Sequence, residues 1–180
     1  MKTALTIAGS DSCGGAGCIL CSQSSDGTHS VYAICHHCFD ICLNAGASAG
    51  EELDAVFTDI YPDAVKIGMV SESDLIHIIA SKLRQYNAKN IVVDPVMVAT
   101  SGAKLISDDA IDTLKQELFS LADVLTPNIP EAEVLTGRTI SNAEEMIDAA
   151  KMISETYNCA LFWSLPPITP DKNNKTHPIT

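Results

Sequence analysis

Apolar positions recur along this chain in two alternating rhythms. Short runs of apolar and β-branched residues stand at positions 3–8, 64–67, 91–93 and 124–126. Each is too short for a helix and is bounded by glycine, proline or polar punctuation, which predicts strands. Between them, Leu75, Ile76, Ile79 and Leu83 within residues 73–86 fall at helical spacing, as do Ile111, Leu114, Leu118 and Leu121 within residues 107–121. Both segments predict amphipathic covering helices. A third helix is predicted over residues 141–157, with Met146, Ile147, Ala150 and Ile153 on one face and Ser141 as N-cap backed by Glu144. The alternation runs from residue 51 onward, which is the pattern of an α/β fold with a mostly parallel sheet and helices on its faces. Residues 18–50 show neither period, and residues 165–180, rich in proline, asparagine and threonine, read as a disordered tail.

Composition narrows the picture. A chain of 180 residues with 46% apolar content suffices for one α/β domain and is short for two. The net charge of -12 argues against nucleic-acid and anionic-membrane partners, because the long-range field repels both. Any phosphate must therefore be held by local donors. No stretch approaches the roughly 18 apolar residues of a membrane span; even residues 91–99 are broken by Asp94 and Pro95. The N-terminal apolar run is interrupted by Gly9-Ser10-Asp11 before it reaches the length of a signal segment, so a cytoplasmic, soluble protein is expected.

Four strand ends carry candidate chemistry. In Ala8-Gly9-Ser10-Asp11-Ser12-Cys13-Gly14-Gly15-Ala16-Gly17, a strand runs into a glycine-rich turn that lets main-chain N–H groups approach a ligand. Neither phosphate-loop template fits it, and a plain strand-to-helix turn is the alternative. Asp63-Ala64-Val65-Lys66-Ile67-Gly68-Met69 delivers a flexible apolar side chain where open α/β sheets bind ligands, so Met69 is placed either to pack on a ring or in ordinary core. Ile91-Val92-Val93-Asp94-Pro95-Val96-Met97 ends a buried strand in an acid, which suits either a magnesium-nucleotide partner or a loop cap. In Leu125-Thr126-Pro127-Asn128-Ile129-Pro130-Glu131 a strand leads into a helix start. Asn128 and Glu131, three apart, suit a magnesium-bound phosphate, contacted directly or through water, or a helix start with an acid in its first turn.

Taken in this order, the four segments resemble the ribokinase-like family of small-molecule kinases, in particular its hydroxymethylpyrimidine kinase branch. The resemblance rests on Leu5-Thr6-Ile7-Ala8-Gly9-Ser10-Asp11 followed by Gly14-Gly15-Ala16-Gly17, on Lys66-Ile67-Gly68-Met69, on Val93-Asp94-Pro95-Val96-Met97 and on Thr126-Pro127-Asn128-Ile129-Pro130-Glu131. It covers residues 1–17 and about 51–160. It implies a three-layer α/β/α fold over residues 1–164 and ATP-dependent phosphorylation of 4-amino-5-hydroxymethyl-2-methylpyrimidine, then of its monophosphate, in thiamine biosynthesis. By position, Gly9, Ala16, Met69 and Val96 would line the pyrimidine pocket. Asp94, Asn128 and Glu131 would act on the magnesium–ATP side, where catalysis is mostly positioning and charge neutralisation.

Two departures from the family follow. Family members carry a Ser-Val-Ile-Thr-Ala-Leu-Thr strand and a glutamine that reads the aminopyrimidine, where this chain has Cys35-His36-His37-Cys38-Phe39-Asp40. The nucleotide string UC UGU CAU CAC UGC UUU GAC encodes the second sequence as grouped and the first when regrouped from its first letter, so residues 18–50 are expected to be an out-of-frame reading. The rival is a zinc module, because Cys18-Ile19-Leu20-Cys21 and Cys35-His36-His37-Cys38 form two CxxC pairs thirteen residues apart. Free thiols are a further alternative. The family's later Lys-Gly-Gly-His loop and anion-hole helix start are not found in the sequence, so the C-terminal part of the fold, with the catalytic motif, is expected to be missing. That predicts negligible kinase activity for this polypeptide alone, at most a weakly binding remnant. It also predicts an exposed sheet edge favouring self-association, such as a homodimer.

Overall fold

The computed structural model describes residues 2–9, 37–43, 48–98 and 103–163. Among the described residues six strands form one sheet: β1 (Thr3–Gly9), β2 (His37–Leu43), β3 (Ala64–Ile67), β4 (Ile91–Val93), β5 (Val124–Leu125) and β6 (Ala160–Leu161). Their order is β2-β1-β3-β4-β5-β6, and every neighbouring pair is parallel. The helices are α1 (Ser48–Asp59), α2 (Ser73–Gln85), α3 (Asp108–Thr113), α4 (Ile129–Thr136) and α5 (Ala143–Tyr157). The α/β class with a parallel sheet is the one the alternating pattern predicts.

Burial explains the register. Leu5 and Ile7 pair with Val65 and Ile67, which pair with Ile91 and Val93, and Val93 pairs with Leu125. All seven are at most 3% exposed. Alternate strand residues share a face, so these form one apolar surface. The surface belongs to the same core as Leu53 and Phe57 of α1, Ile76, Ile79 and Leu83 of α2, and Ile111, Leu114, Leu118 and Phe119. A slip of one residue in any strand would turn its apolar set away from that core.

Three elements differ from the sequence expectation. The helix predicted over residues 107–121 is α-helical only to Thr113; it widens into a π-helical turn over Leu114–Leu118 and tightens into a 3-10 turn over Phe119–Leu121. Across these widened and tightened turns Leu114, Leu118 and Phe119 all reach the core, each at most 1% exposed. Leu121 is left only half-buried. The N-cap of α5 is Asn142 rather than Ser141: its side chain accepts from Glu145 N at 2.9 Å, while Ser141 N donates to Glu145 Oε2 at 2.7 Å. In Ser-Asn-Ala-Glu-Glu two overlapping caps compete, and the asparagine prevails. Finally, β2 lies within the segment that shows no period, pairing with β1 from Thr3↔His37 to Gly9↔Leu43.

β1 is followed by β2 on one side of it, whereas its other neighbour β3 is followed by β4 on the opposite side, so the direction of winding reverses between β1 and β3. That is a switch point, where open parallel sheets form a crevice.

Candidate active site at the carboxyl ends of the strands

Main-chain hydrogen bonds align the strand tips in a row. Gly68 N donates to Ile7 O at 2.8 Å, Asp94 N to Ile67 O at 2.8 Å, and Thr126 N to Val93 O at 3.0 Å. The residues that follow these tips therefore emerge side by side. Gly9 ends β1, Gly68 and Met69 follow β3, Asp94 to Val98 follow β4, and Asn128 follows β5. Of the predicted pocket residues, Gly9, Met69 and Val96 are brought to this common edge. Ala16 lies outside the described residues, as do Ser10 to Gly17 generally and residues 165–180.

Asp94 is paired. Lys66 Nζ lies 3.2 Å from Asp94 Oδ2, and both side chains are about one-third exposed, at 33% and 36%. The sequence reading passed over Lys66. Its signal was a lone charge between Val65 and Ile67, both buried, in a central strand. Gly68 leaves room for that ammonium, because a Cβ there would stand 3.2 Å from Lys66 Nζ.

Asn128 and Glu131 form a reciprocal capping box at the start of α4. Asn128 Oδ1 accepts from Glu131 N at 2.9 Å, and Glu131 Oε2 accepts from Asn128 N at 2.9 Å. Their remaining polar atoms turn to the segment after β4. Glu131 Oε1 accepts from Met97 N at 2.9 Å and Val98 N at 3.5 Å, while Asn128 Nδ2 donates to Val98 O at 3.2 Å. Glu131 is only 2% exposed. Burial pushes its carboxyl above the usual range, against the opposite pull of the N–H groups of Asn128, Val98 and Met97; the nearby Asp94 charge adds to the rise. Both Glu131 oxygens are thus engaged by main-chain donors, and Asp94 is the carboxylate of the set with partial exposure at the edge. An exposed carboxylate oxygen suits a hard cation such as magnesium.

Of the four candidate zinc ligands, Cys18, Cys21 and Cys35 lie outside the described residues and Cys38 falls on β2. Among the described residues no group of three or more histidine, cysteine, aspartate or glutamate side chains is gathered as metal ligands would be. No described helix is long and apolar enough to cross a membrane. A shallow groove of about 490 Å³ is lined by Arg138, Asp148, Lys151, Met152, Glu155 and Thr156, five of them on α5 and none of them at a strand tip. It mixes two cations with two carboxylates and brings no set of polar groups to one point.

The sequence pattern of the family described as phosphomethylpyrimidine kinase matches residues 41–162. The chain is 37% identical over 169 residues to a hydroxymethylpyrimidine/phosphomethylpyrimidine kinase of Bacillus subtilis, covering 83% of this chain and 59% of that protein. It resembles the crystal structure of a phosphomethylpyrimidine kinase from Clostridium difficile, with a TM-score of 0.75, 36% identity and coverage of 91% and 74%. An ADP complex of a Bacillus subtilis pyridoxal kinase aligns with a TM-score of 0.67, 27% identity and coverage of 91% and 66%. The chain spans about three fifths or less of the length of the curated relatives it matches.

Proposed function

Because this chain belongs to the phosphomethylpyrimidine kinase family, we propose that its strand-end hollow binds the reactants of an ATP-dependent phosphorylation, ATP with 4-amino-5-hydroxymethyl-2-methylpyrimidine and then with its monophosphate. The observation that carries the proposal is the row of aligned tips. The ends of β1, β3 and β4, which carry Gly9, Met69, Asp94 and Val96, lie side by side at and next to the switch point of the described strands. Gly9, Met69 and Val96 form the pyrimidine side in this proposal, together with Ala16. Met69 offers a polarizable side chain to the ring.

Asp94, Asn128 and Glu131 serve the magnesium–ATP side. ATP supplies the phosphoryl group and magnesium neutralises its charge, while the protein orients and screens. Asp94 presents an oxygen for the cation. Lys66, beside it, adds a positive charge in a chain of net charge -12. Asn128 and Glu131 act on this side by fixing the segment that follows Asp94, since their own polar atoms are already engaged. ADP in the aligned pyridoxal kinase supports use of ATP, and a small pyrimidine with ATP suits a cytoplasmic setting. Self-association as a homodimer is part of the proposal.

Equilibrium titration of the purified chain tests it. Saturable binding of the pyrimidine alcohol is expected, lost in Met69→Glu, and binding of magnesium–ATP is expected to weaken about tenfold in Asp94→Asn. A folded wild-type chain that binds neither compound would refute the assignment.

A further inference from the structure

We propose that Glu131 is a positioning residue for the pyrimidine side of the hollow, its buried carboxylate holding Val96 in a left-handed backbone conformation. Val96 has a φ of +42°. A β-branched side chain does not adopt that region without external constraint, and such residues mark places where the fold imposes a shape.

The constraint is visible on both sides of Val96. Upstream, Asp94 N is tied to Ile67 O at 2.8 Å and Pro95 has a fixed φ of its own. Downstream, Met97 N and Val98 N donate to Glu131 Oε1, Val98 O accepts from Asn128 Nδ2, and Leu105 N donates to Met97 O at 2.9 Å. The Met97 side chain is 0% exposed and Val98 only 7%, so both are anchored in the core as well. With Asp94 and Met97 each fixed, the chain has only Pro95 and Val96 in which to turn. Proline cannot absorb the change, so Val96 does. The carboxylate that caps α4 on the magnesium–ATP side thereby sets the shape of the wall on the pyrimidine side. The role of Val96 toward a ligand rests on the proposed pyrimidine site; the clasp itself rests on the hydrogen bonds alone.

Amide hydrogen exchange and thermal unfolding of the full chain test the clasp without any ligand. Glu131→Gln is expected to quicken exchange at Met97 about tenfold, by loss of a charge-assisted acceptor, with Ile67 and Val93 unchanged. Val96→Gly is expected to raise the Tm by a few degrees when Glu131 is present, since glycine accepts this φ freely, and to give no gain in the Glu131→Gln background, where the turn relaxes. Should Glu131→Gln not fold, Glu131→Asp keeps the charge but draws the acceptor back from Met97 N and Val98 N, and is expected to quicken exchange at both amides. Unchanged exchange at these amides, or an equal effect of Val96→Gly in both backgrounds, would overturn the clasp. Titration with the pyrimidine alcohol tests the remainder: Glu131→Gln should raise its Kd about tenfold, and Val96→Gly alone much less. Clasp effects in a wild-type chain that does not bind the pyrimidine would overturn the pyrimidine assignment and leave the clasp standing.

Discussion

Lys66 Nζ and Asp94 Oδ2 lie 3.2 Å apart across the tips of two adjacent parallel strands. Each side chain is about one-third exposed, so the pair adds at most about 1 kcal/mol to folding. Its importance lies in placement, as a cation beside the carboxylate proposed for magnesium. Lys66→Met is expected to leave the urea midpoint nearly unchanged and to weaken magnesium–ATP binding about tenfold, with Lys66→Arg retaining most of the affinity. A large fall in stability with unchanged nucleotide affinity would assign the pair to folding instead.

The capping box should be unequal in its two halves. Asn128→Ala removes one N-cap acceptor and should cost about 1 kcal/mol. Glu131→Ala withdraws the acceptor from three main-chain N–H groups in a buried setting, and should cost about 3 kcal/mol. Urea denaturation of the two variants measures the difference, and equal losses would contradict the clasp.

Acid should destabilise the fold through surface carboxylates. The Lys82 ammonium first, then the Tyr86 hydroxyl, holds Asp54 below the usual carboxylate range; Arg84 and His77 do the same for Glu117, and Lys2 and Thr3 for Asp63. In each case the unfolded chain binds the proton more readily, so their stabilisation is complete above the unfolded value, near pH 4, and is lost as pH falls below it. Glu131 has the opposite sign, its folded carboxyl being raised, so protonating it favours the folded chain as pH falls toward its unfolded value. Urea midpoints measured from pH 5 to pH 3 should therefore fall, and fall less steeply in Asp54→Asn.

Helix ends offer a separate check on backbone conformation. Gly137 ends α4 at φ +66° with nothing within 4 Å of a Cβ built there, so Gly137→Ala should cost about 1 kcal/mol from the backbone alone. Asn158 ends α5 at φ +52°, and Asn158→Gly should be neutral or slightly stabilising. Thermal unfolding of both variants reads the result.

What the sequence made legible follows from periodicity. β3, β4, α2 and the body of α5 lie where their apolar spacing places them, because each buries one continuous face. α1 carries Ala49, Leu53 and Phe57 at intervals of four, all at most 2% exposed, but its first turn lies in the patternless segment, which hides that spacing. The π turn at Leu114 was illegible because Leu118 and Phe119 are both apolar neighbours, and nothing local says that both will be buried. At the proposed site, Asp94, Asn128 and Glu131 are singled out by residue type and strand-end position. What spacing did not disclose is that Glu131 turns inward to Met97 and Val98, a contact 34 residues away in sequence to Met97, or that Val96 is driven to positive φ. Such long-range main-chain contacts leave no mark in local spacing.

The most direct test of the strand-end site is a two-dimensional 15N–1H NMR titration of the chain, first with the pyrimidine alcohol and then with magnesium–ATP. Shifts at the amides of Gly9, Gly68, Met69, Asp94, Val96 and Asn128 are the predicted result, with the pyrimidine moving the first group of tips and the nucleotide moving Asp94 and Asn128. Shifts confined to the groove beside α5, at Arg138, Lys151 and Met152, or no shifts at all, would contradict it.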